Sequence, residues 1–208
     1  DIYNGETQDY TKTLGDWKQP VLIPAPGRLC DRYSSPLHYM ESIPVKEVIH
    51  TPAGETVLDF GQNFAGHVVC TQPIPNGTAM TLEFGEVLQN GNFYHENYRH
   101  AESKFTYVSD GISREIRPRF TFFGFRYVKV SGLERVDAAC FEGRAIYSEM
   151  DRTGFIRTGN EKINRLFSNS LWGLKSNFLD IPTDCPQRDE RLGWTGDAQV
   201  FSTTAGFH

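Results

Sequence analysis

No stretch of this 208-residue chain approaches the ~20 consecutive apolar residues that a membrane-spanning helix needs, so membrane insertion of that kind is not expected. Excess positive charge is also missing. Lys and Arg number 21 against 26 Asp and Glu, for a formal net charge of −5. Such a surface repels phosphate, so neither nucleic acid nor an anionic membrane is an expected partner. Cysteine is sparse: Cys30, Cys70, Cys140 and Cys185 lie far apart and form no CxxC, which excludes zinc-ribbon and thioredoxin patterns. Free thiols are the expectation, with one long-range disulfide as the alternative. The first residues, DIYNGETQDY, have neither a basic nor an apolar leader segment. With no initiator Met and an abrupt TTAGFH at the other end, the chain reads as a piece of a longer protein, its compartment left open.

What is present suits a folded domain. Hydrophobic residues make up 38% and charged residues 23%, and 15 Phe and 9 Tyr give bulk for a sizeable core. Residues 1–45 carry prolines at 20, 24, 26, 36 and 44 and little apolar periodicity, so they are expected to be extended linker at the end of a preceding domain. Residues 46–150 change to short alternating runs, among them Thr56-Val57-Leu58-Asp59-Phe60, His67-Val68-Val69-Cys70, Met80-Thr81-Leu82-Glu83-Phe84 and Tyr127-Val128-Lys129-Val130. Turn signals at Asn76-Gly77, Asn90-Gly91 and Asp110-Gly111 separate such runs, which predicts an antiparallel, jelly-roll-like β-sandwich in a mainly β chain.

After Met150 the period becomes helical. Ile163, Leu166, Phe167, Leu171, Leu174 and Phe178 form one apolar stripe, expected to pack on the sandwich or on another chain. Thr158 or Asn160 is the expected cap and Pro182 the stop, and a second helix is predicted from near Thr195 with Asp197 in its first turn. Two helices cannot enclose a core, so 151–208 reads as the opening of a larger helical domain.

The densest chemistry is Pro182-Thr183-Asp184-Cys185-Pro186-Gln187-Arg188-Asp189-Glu190-Arg191-Leu192-Gly193-Trp194-Thr195-Gly196-Asp197. Convergent carboxylates cannot all ionise comfortably, so one of them can serve as a proton donor near neutral pH. A Trp beside acids suits a sugar: the ring covers its C–H face while carboxylates accept its hydroxyls. The alternative is a solvated charged turn anchored by Trp194. Elsewhere, Tyr94-His95-Glu96-Asn97-Tyr98-Arg99-His100 departs from HExxH because its second His falls at i+5, so it reads as a solvated or packing loop rather than a metal site. Gly61 to Gly66 reads as a tight bend between strands.

The string PTDCPQRDERLGWTGDAQ closely resembles the signature of bacterial α-L-rhamnosidases, glycoside hydrolase family 78. Asp59-Phe60-Gly61-Gln62-Asn63-Phe64-Ala65-Gly66 is similar to the DxGQNxxG segment of that family's sandwich domain, and Gly124-Phe125-Arg126-Tyr127 to its GFRY strand. The resemblance implies that residues 151–208 open a six-hairpin (α/α) barrel and that the enzyme removes terminal α-L-rhamnose with inversion. It implies Glu190 as general acid, Asp184 and Asp197 as holders of sugar hydroxyls, and Trp194 as an aromatic wall. Asp184 and Asp197 would act on Glu190 as like charges, and Arg188 and Arg191 are expected to orient the acids by charge-assisted hydrogen bonds. The family's general base corresponds to no residue here. No cofactor or metal is implied; a rhamnose-containing oligosaccharide or glycoside is the implied partner. The competing reading is a non-catalytic carbohydrate-binding or scaffold module, since sandwich folds host both.

Overall fold

Period-two alternation places Leu82 and Phe84, Phe105 and Tyr107, and Val128 and Val130 on one face of their strands, and all six are buried. The computed structural model describes residues 1–208. Its strands are β1 (Glu6–Asp9), β2 (Leu37–Pro44), β3 (Glu47–His50), β4 (Thr56–Cys70), β5 (Ala79–Gly85), β6 (Val87–Gln89), β7 (Asn92–Tyr94), β8 (Lys104–Val108), β9 (Phe123–Ser131), β10 (Phe141–Ser148), β11 (Phe178–Leu179) and β12 (Ile181–Pro182), with helices α1 (Glu161–Ser176) and α2 (Thr195–Ala205). Eight strands form one curled sheet in the order β1-β8-β5-β9-β4-β10-β2, with β3 also on β4. The fold is therefore mainly β, in keeping with a β-sandwich followed by the first helices of a helical domain.

Two features of the sheet differ from the sequence-based expectation. It is mixed rather than wholly antiparallel, because β1 runs parallel to β8 from Glu6↔Phe105 to Asp9↔Val108. It also takes β1 and β2 from residues 1–45, the segment expected to be linker. Some 90 residues separate β1 from β8, ample chain for the crossover that a parallel pair requires.

The predicted bend at Gly61 is an interruption within one long strand rather than a junction between two. The pairing of β4 with β9 shifts register between Asp59 and Phe64. Gly61 sits at φ 73° and donates its N–H to Asp59 Oδ1 at 2.6 Å. A left-handed backbone at that point suits glycine. Before the bend β4 pairs with β3; beyond it, with β10. Arg126 on β9 closes the bend with two bonds to Asp59, Nε–Oδ1 2.8 Å and Nη2–Oδ2 2.7 Å. Asp59 is buried. Burial pushes its carboxyl up, but Arg126 and the Gly61 N–H together hold it below the ordinary aspartate value.

The core is aromatic. Phe84 stacks on Phe123 with centroids 3.9 Å apart, and Phe60 and Phe84 both present edges to Phe125. All four cysteines are free thiols.

Asn160 caps α1 by accepting the Lys162 N–H at 2.9 Å, while the Thr158 hydroxyl donates to the Asn160 carbonyl. The helix ends at Ser176, well before Pro182; Asn177 caps it and the chain passes directly into the β11–β12 hairpin, which turns at Asp180 with φ 75°. The predicted stripe does not pack on the sheet: Ile163 and Leu166 are exposed. The last turns of α1 dock instead. Trp172 packs against the core, Ser176 is buried and accepts the Ala65 N–H, and Lys175 pairs with Glu41.

Candidate functional site

The acid-rich string is an irregular loop that closes on itself. Thr183 and Gly193 form a β-bridge. Asp184 donates its N–H to the Leu192 carbonyl at 3.2 Å, and its Oδ1 accepts the Leu192 N–H at 3.1 Å. Burial alone would push the Asp184 carboxyl up; the Cys185 thiol, the Leu192 N–H and Arg188 hold it below its ordinary value, so it is ionised at neutral pH.

The two arginines of the loop do different things. Arg188 Nη2 lies 3.2 Å from Asp184 Oδ2 and 3.0 Å from Glu190 Oε2, which places its guanidinium between the two acids. Arg191 does not meet a carboxylate. It is buried at φ 48° and donates to the carbonyls of Gln187 (2.8 Å), Arg188 (2.8 Å) and Phe122 (2.9 Å), which makes it an internal strut of the loop.

Glu190 is partly exposed and sits between cations. Its Oε2 accepts from Arg99 Nη1 at 3.0 Å and forms an ion pair with Arg188 Nη2 at the same distance, and no protein donor reaches Oε1. The expected like-charge neighbours are thus arranged differently: the guanidinium of Arg188 stands between Asp184 and Glu190. Asp184 and Asp197 come together in a cavity of about 810 Å³ that Asn177, Thr183 and Phe201 also line. That volume accommodates a small ligand such as one or two sugar rings. Asp197 is in the first turn of α2, as its position in the sequence implied. Neither Glu190 nor Trp194 lines this cavity. Trp194 immediately precedes α2, 45% exposed.

The sheet holds the loop from behind. Glu86 accepts Asn63 Nδ2 at 2.8 Å on one oxygen and Gln187 Nε2 at 3.0 Å on the other. Burial raises the Glu86 carboxyl despite both bonds. Tyr98, fully buried, donates its hydroxyl to the Gly124 carbonyl at 2.9 Å. A Cβ at Gly124 would lie 2.8 Å from Pro186 Cγ and 2.9 Å from Gln187 Cβ, so the loop rests directly on the β9 backbone. Tyr3 donates to the Glu190 carbonyl at 2.6 Å, and the His100 N–H points at Asp189 Oδ2 at 3.4 Å.

Sequence reasoning missed Arg99, Glu86 and Tyr3. Arg99 and His100 belong to the segment read as a solvated or packing loop. Arg99 and Glu190 lie 91 positions apart, and no local spacing signals their contact.

Comparison with known proteins fits this geometry. Residues 49–147 match the bacterial alpha-L-rhamnosidase concanavalin-like domain, and residues 151–208 match the bacterial alpha-L-rhamnosidase 6 hairpin glycosidase domain. An alpha-L-rhamnosidase of Alteromonas sp. (strain LOR) is 41% identical over 96% of this chain and 23% of its own length. The alpha-L-rhamnosidase structure from Dictyoglumus thermophilum superposes with a TM-score of 0.88 at 32% identity, covering 99% of this chain and 25% of that one. The Streptomyces avermitilis alpha-L-rhamnosidase complexed with L-rhamnose gives a TM-score of 0.80 at 39% identity, covering 83% of this chain and 17% of that one. The chain thus spans about a quarter of the length of the curated relatives it matches. Both matched models describe one family, they adjoin at the sheet-to-helix transition, and the chain belongs to the bacterial α-L-rhamnosidases.

Proposed function

We propose that this chain carries the acid half of the active site of an inverting α-L-rhamnosidase, a glycoside hydrolase that removes terminal α-L-rhamnose. The observation that carries the reading is Glu190 itself: a carboxyl with Oε2 clamped and Oε1 unbonded, joined through Arg188 to an ionised Asp184 that opens into a sugar-sized cavity. Similarity to a rhamnosidase solved with L-rhamnose supports the choice of sugar.

In this reading Glu190 gives its proton to the glycosidic oxygen as the C1–O bond breaks. Asp184 and Asp197 accept hydrogen bonds from ring hydroxyls. The exposed indole of Trp194 offers a surface for the apolar side of rhamnose, whose C6 is a methyl group. Inversion requires a second carboxylate about 6.5–9.5 Å from the acid, with a water between, to act as base. That base lies outside these 208 residues.

The experiment is Glu190→Gln in the full-length protein. Turnover of an alkyl rhamnoside should fall by about 10²–10⁴-fold, the usual worth of a general acid, while p-nitrophenyl rhamnoside, with its good leaving group, suffers less. Equal loss on both substrates, or none, overturns the acid role. Proton NMR of the first-formed sugar tests inversion, since a product that retains the α configuration rules it out.

A further inference from the structure

We propose that Arg99, from the sheet side of the molecule, is a positioning residue that fixes which oxygen of Glu190 carries the proton. The proposal rests on the reading of Glu190 as general acid. Three observations converge on it. Arg99 Nη1 and Arg188 Nη2 both reach the same atom, Glu190 Oε2, each at 3.0 Å, and Oε1 is left without a protein partner. A guanidinium has no lone pair to accept a proton, so an oxygen facing two of them is the oxygen that stays unprotonated. The proton therefore resides on Oε1. Finally, Arg99 occupies φ 58°, ψ −115°, a conformation that costs a non-glycine residue energy and that clusters where function demands it.

The step balances simply. The proton on Oε1 moves to the glycosidic oxygen while the electron pair of the breaking C1–O bond stays on that oxygen. The carboxylate left behind has its charge on the side of Arg99, which already donates to it, and of the nearby Arg188 guanidinium. Arg99 thus makes proton release easier, and its effect should be largest where the leaving group needs the proton most.

The charged and titratable groups around Glu190 are Arg99 and the neighbouring His100 from the 95–101 loop, Arg188 and Asp189 from its own loop, Asp184 through Arg188, and Tyr3, whose hydroxyl holds the Glu190 carbonyl. Of these, Arg99 alone hydrogen-bonds the carboxyl group, Arg188 pairs with it by charge, and Arg99 is the one that comes from outside the loop.

The test uses the full-length protein with Arg99→Met, Arg99→Gly and Arg99→Lys. The glycine variant relieves the backbone conformation, so its stability should equal or exceed that of the parent. In Arg99→Met and Arg99→Gly, kcat/KM on an alkyl rhamnoside should fall by roughly 10–100-fold, part of the full general-acid effect. The value on p-nitrophenyl rhamnoside should change by less than about threefold, for the same reason. The alkaline limb of the pH–rate profile should move to higher pH, because loss of a cation favours the protonated acid. Arg99→Lys should restore part of the loss. In a Glu190→Gln background the Arg99 substitutions should add no further loss. Equal losses on both substrates, an unmoved pH profile, or full additivity with Glu190→Gln would show a merely structural arginine and overturn the inference. Unimpaired hydrolysis of the alkyl rhamnoside by Glu190→Gln alone would instead remove the acid assignment beneath it.

Discussion

Replacing Gly124 with alanine tests whether the sheet holds the acid-bearing loop in place. Gly124 lies on β9 opposite Ala65, with its Cα facing the loop. The new methyl would come 2.8 Å from Pro186 Cγ, 2.9 Å from Gln187 Cβ and 2.9 Å from the Pro186 carbonyl carbon. A proline ring, a Cβ and a main-chain atom cannot rotate aside, so the loop has to retreat by several tenths of an ångström. Overpacking of this kind costs about 1–3 kcal/mol. For a protein unit of this size each kcal/mol lowers the melting midpoint by roughly 2–4 °C, which predicts a fall of about 2–12 °C. Retreat also carries Glu190 with it, and misplacement by ~1 Å costs on the order of 10²-fold in rate. Full-length Gly124→Ala should therefore lose about 10–100-fold in kcat/KM at 25 °C, far below its midpoint. Gly159→Ala is the control, since nothing lies within 4 Å of its added methyl. A Gly124→Ala protein with parental midpoint and parental turnover would refute the reasoning, because the loop would then be free of the sheet.

Arg126→Met should destabilise by about 2–3 kcal/mol in a urea melt, below the ~3–5 of a fully buried pair because the guanidinium is one-third exposed. A loss under about 1 kcal/mol would mean that the β4 bend does not depend on the Asp59–Arg126 pair. His67 predicts an acid-side weakness: burial, then the charges of Arg117 and Arg144, bring its imidazole down to about 4, and its Nε2 has no partner. The folded state thus favours neutral His67, so its contribution is complete above the ordinary 6.5 and is lost as pH falls from there toward 4. The loss should reach on the order of 2–3 kcal/mol, and His67→Gln should flatten the stability profile between pH 6.5 and 4; an unchanged slope would place the acid sensitivity elsewhere.

Local rules made most of the elements legible. Alternation located β5, β9 and both ends of β4 but not the three-residue β6 and β7; the expected cap at Thr158 or Asn160 located the start of α1, and Thr195 with Asp197 after it located α2. Of the two arginines expected to orient the acids, Arg188 lies between Asp184 and Glu190, whereas Arg191 meets neither. The same residue type three positions on turned inward to carbonyls because φ 48° points its side chain under the loop, a fact that no spacing contains. β1 and the parallel pair with β8 were hidden for a different reason. A four-residue strand with the pattern Glu6-Thr7-Gln8-Asp9 has no apolar alternation and is held by its ladder and by Glu6, which accepts the Arg119 and Phe120 N–H groups. The exposure of Ile163 and Leu166 likewise reflects tertiary choice: α1 docks by Trp172, Lys175 and Ser176, residues that periodicity ranks below the leucines.

The division of labour between sheet and loop follows from what an irregular loop can do alone. Its internal bonds, Asp184 to Leu192 and Arg191 to the carbonyls of Gln187 and Arg188, close a ring of chain but give it no fixed orientation. Orientation comes from outside: Gly124 supplies a flat backbone to rest on, Glu86 holds Gln187, Phe122 accepts Arg191, and Arg99 reaches Glu190. These groups come from well-separated parts of the sheet region, so their relative positions are set by the folded sheet and not by any one turn. A sheet acting as an independent sugar-binding module would have no need to place an ion pair, a buried carboxylate and a glycine contact against one loop. The arrangement has the form of a mount: the DxGQNxxG and GFRY segments, distant from the acids in sequence, contribute Asn63, Asp59, Gly124 and Arg126 either to the loop's seat or to the bend that builds it. Precision at Glu190 is thus inherited from β4 and β9. It follows that substitutions in these strands should shift the loop that carries Glu190 before they unfold the protein.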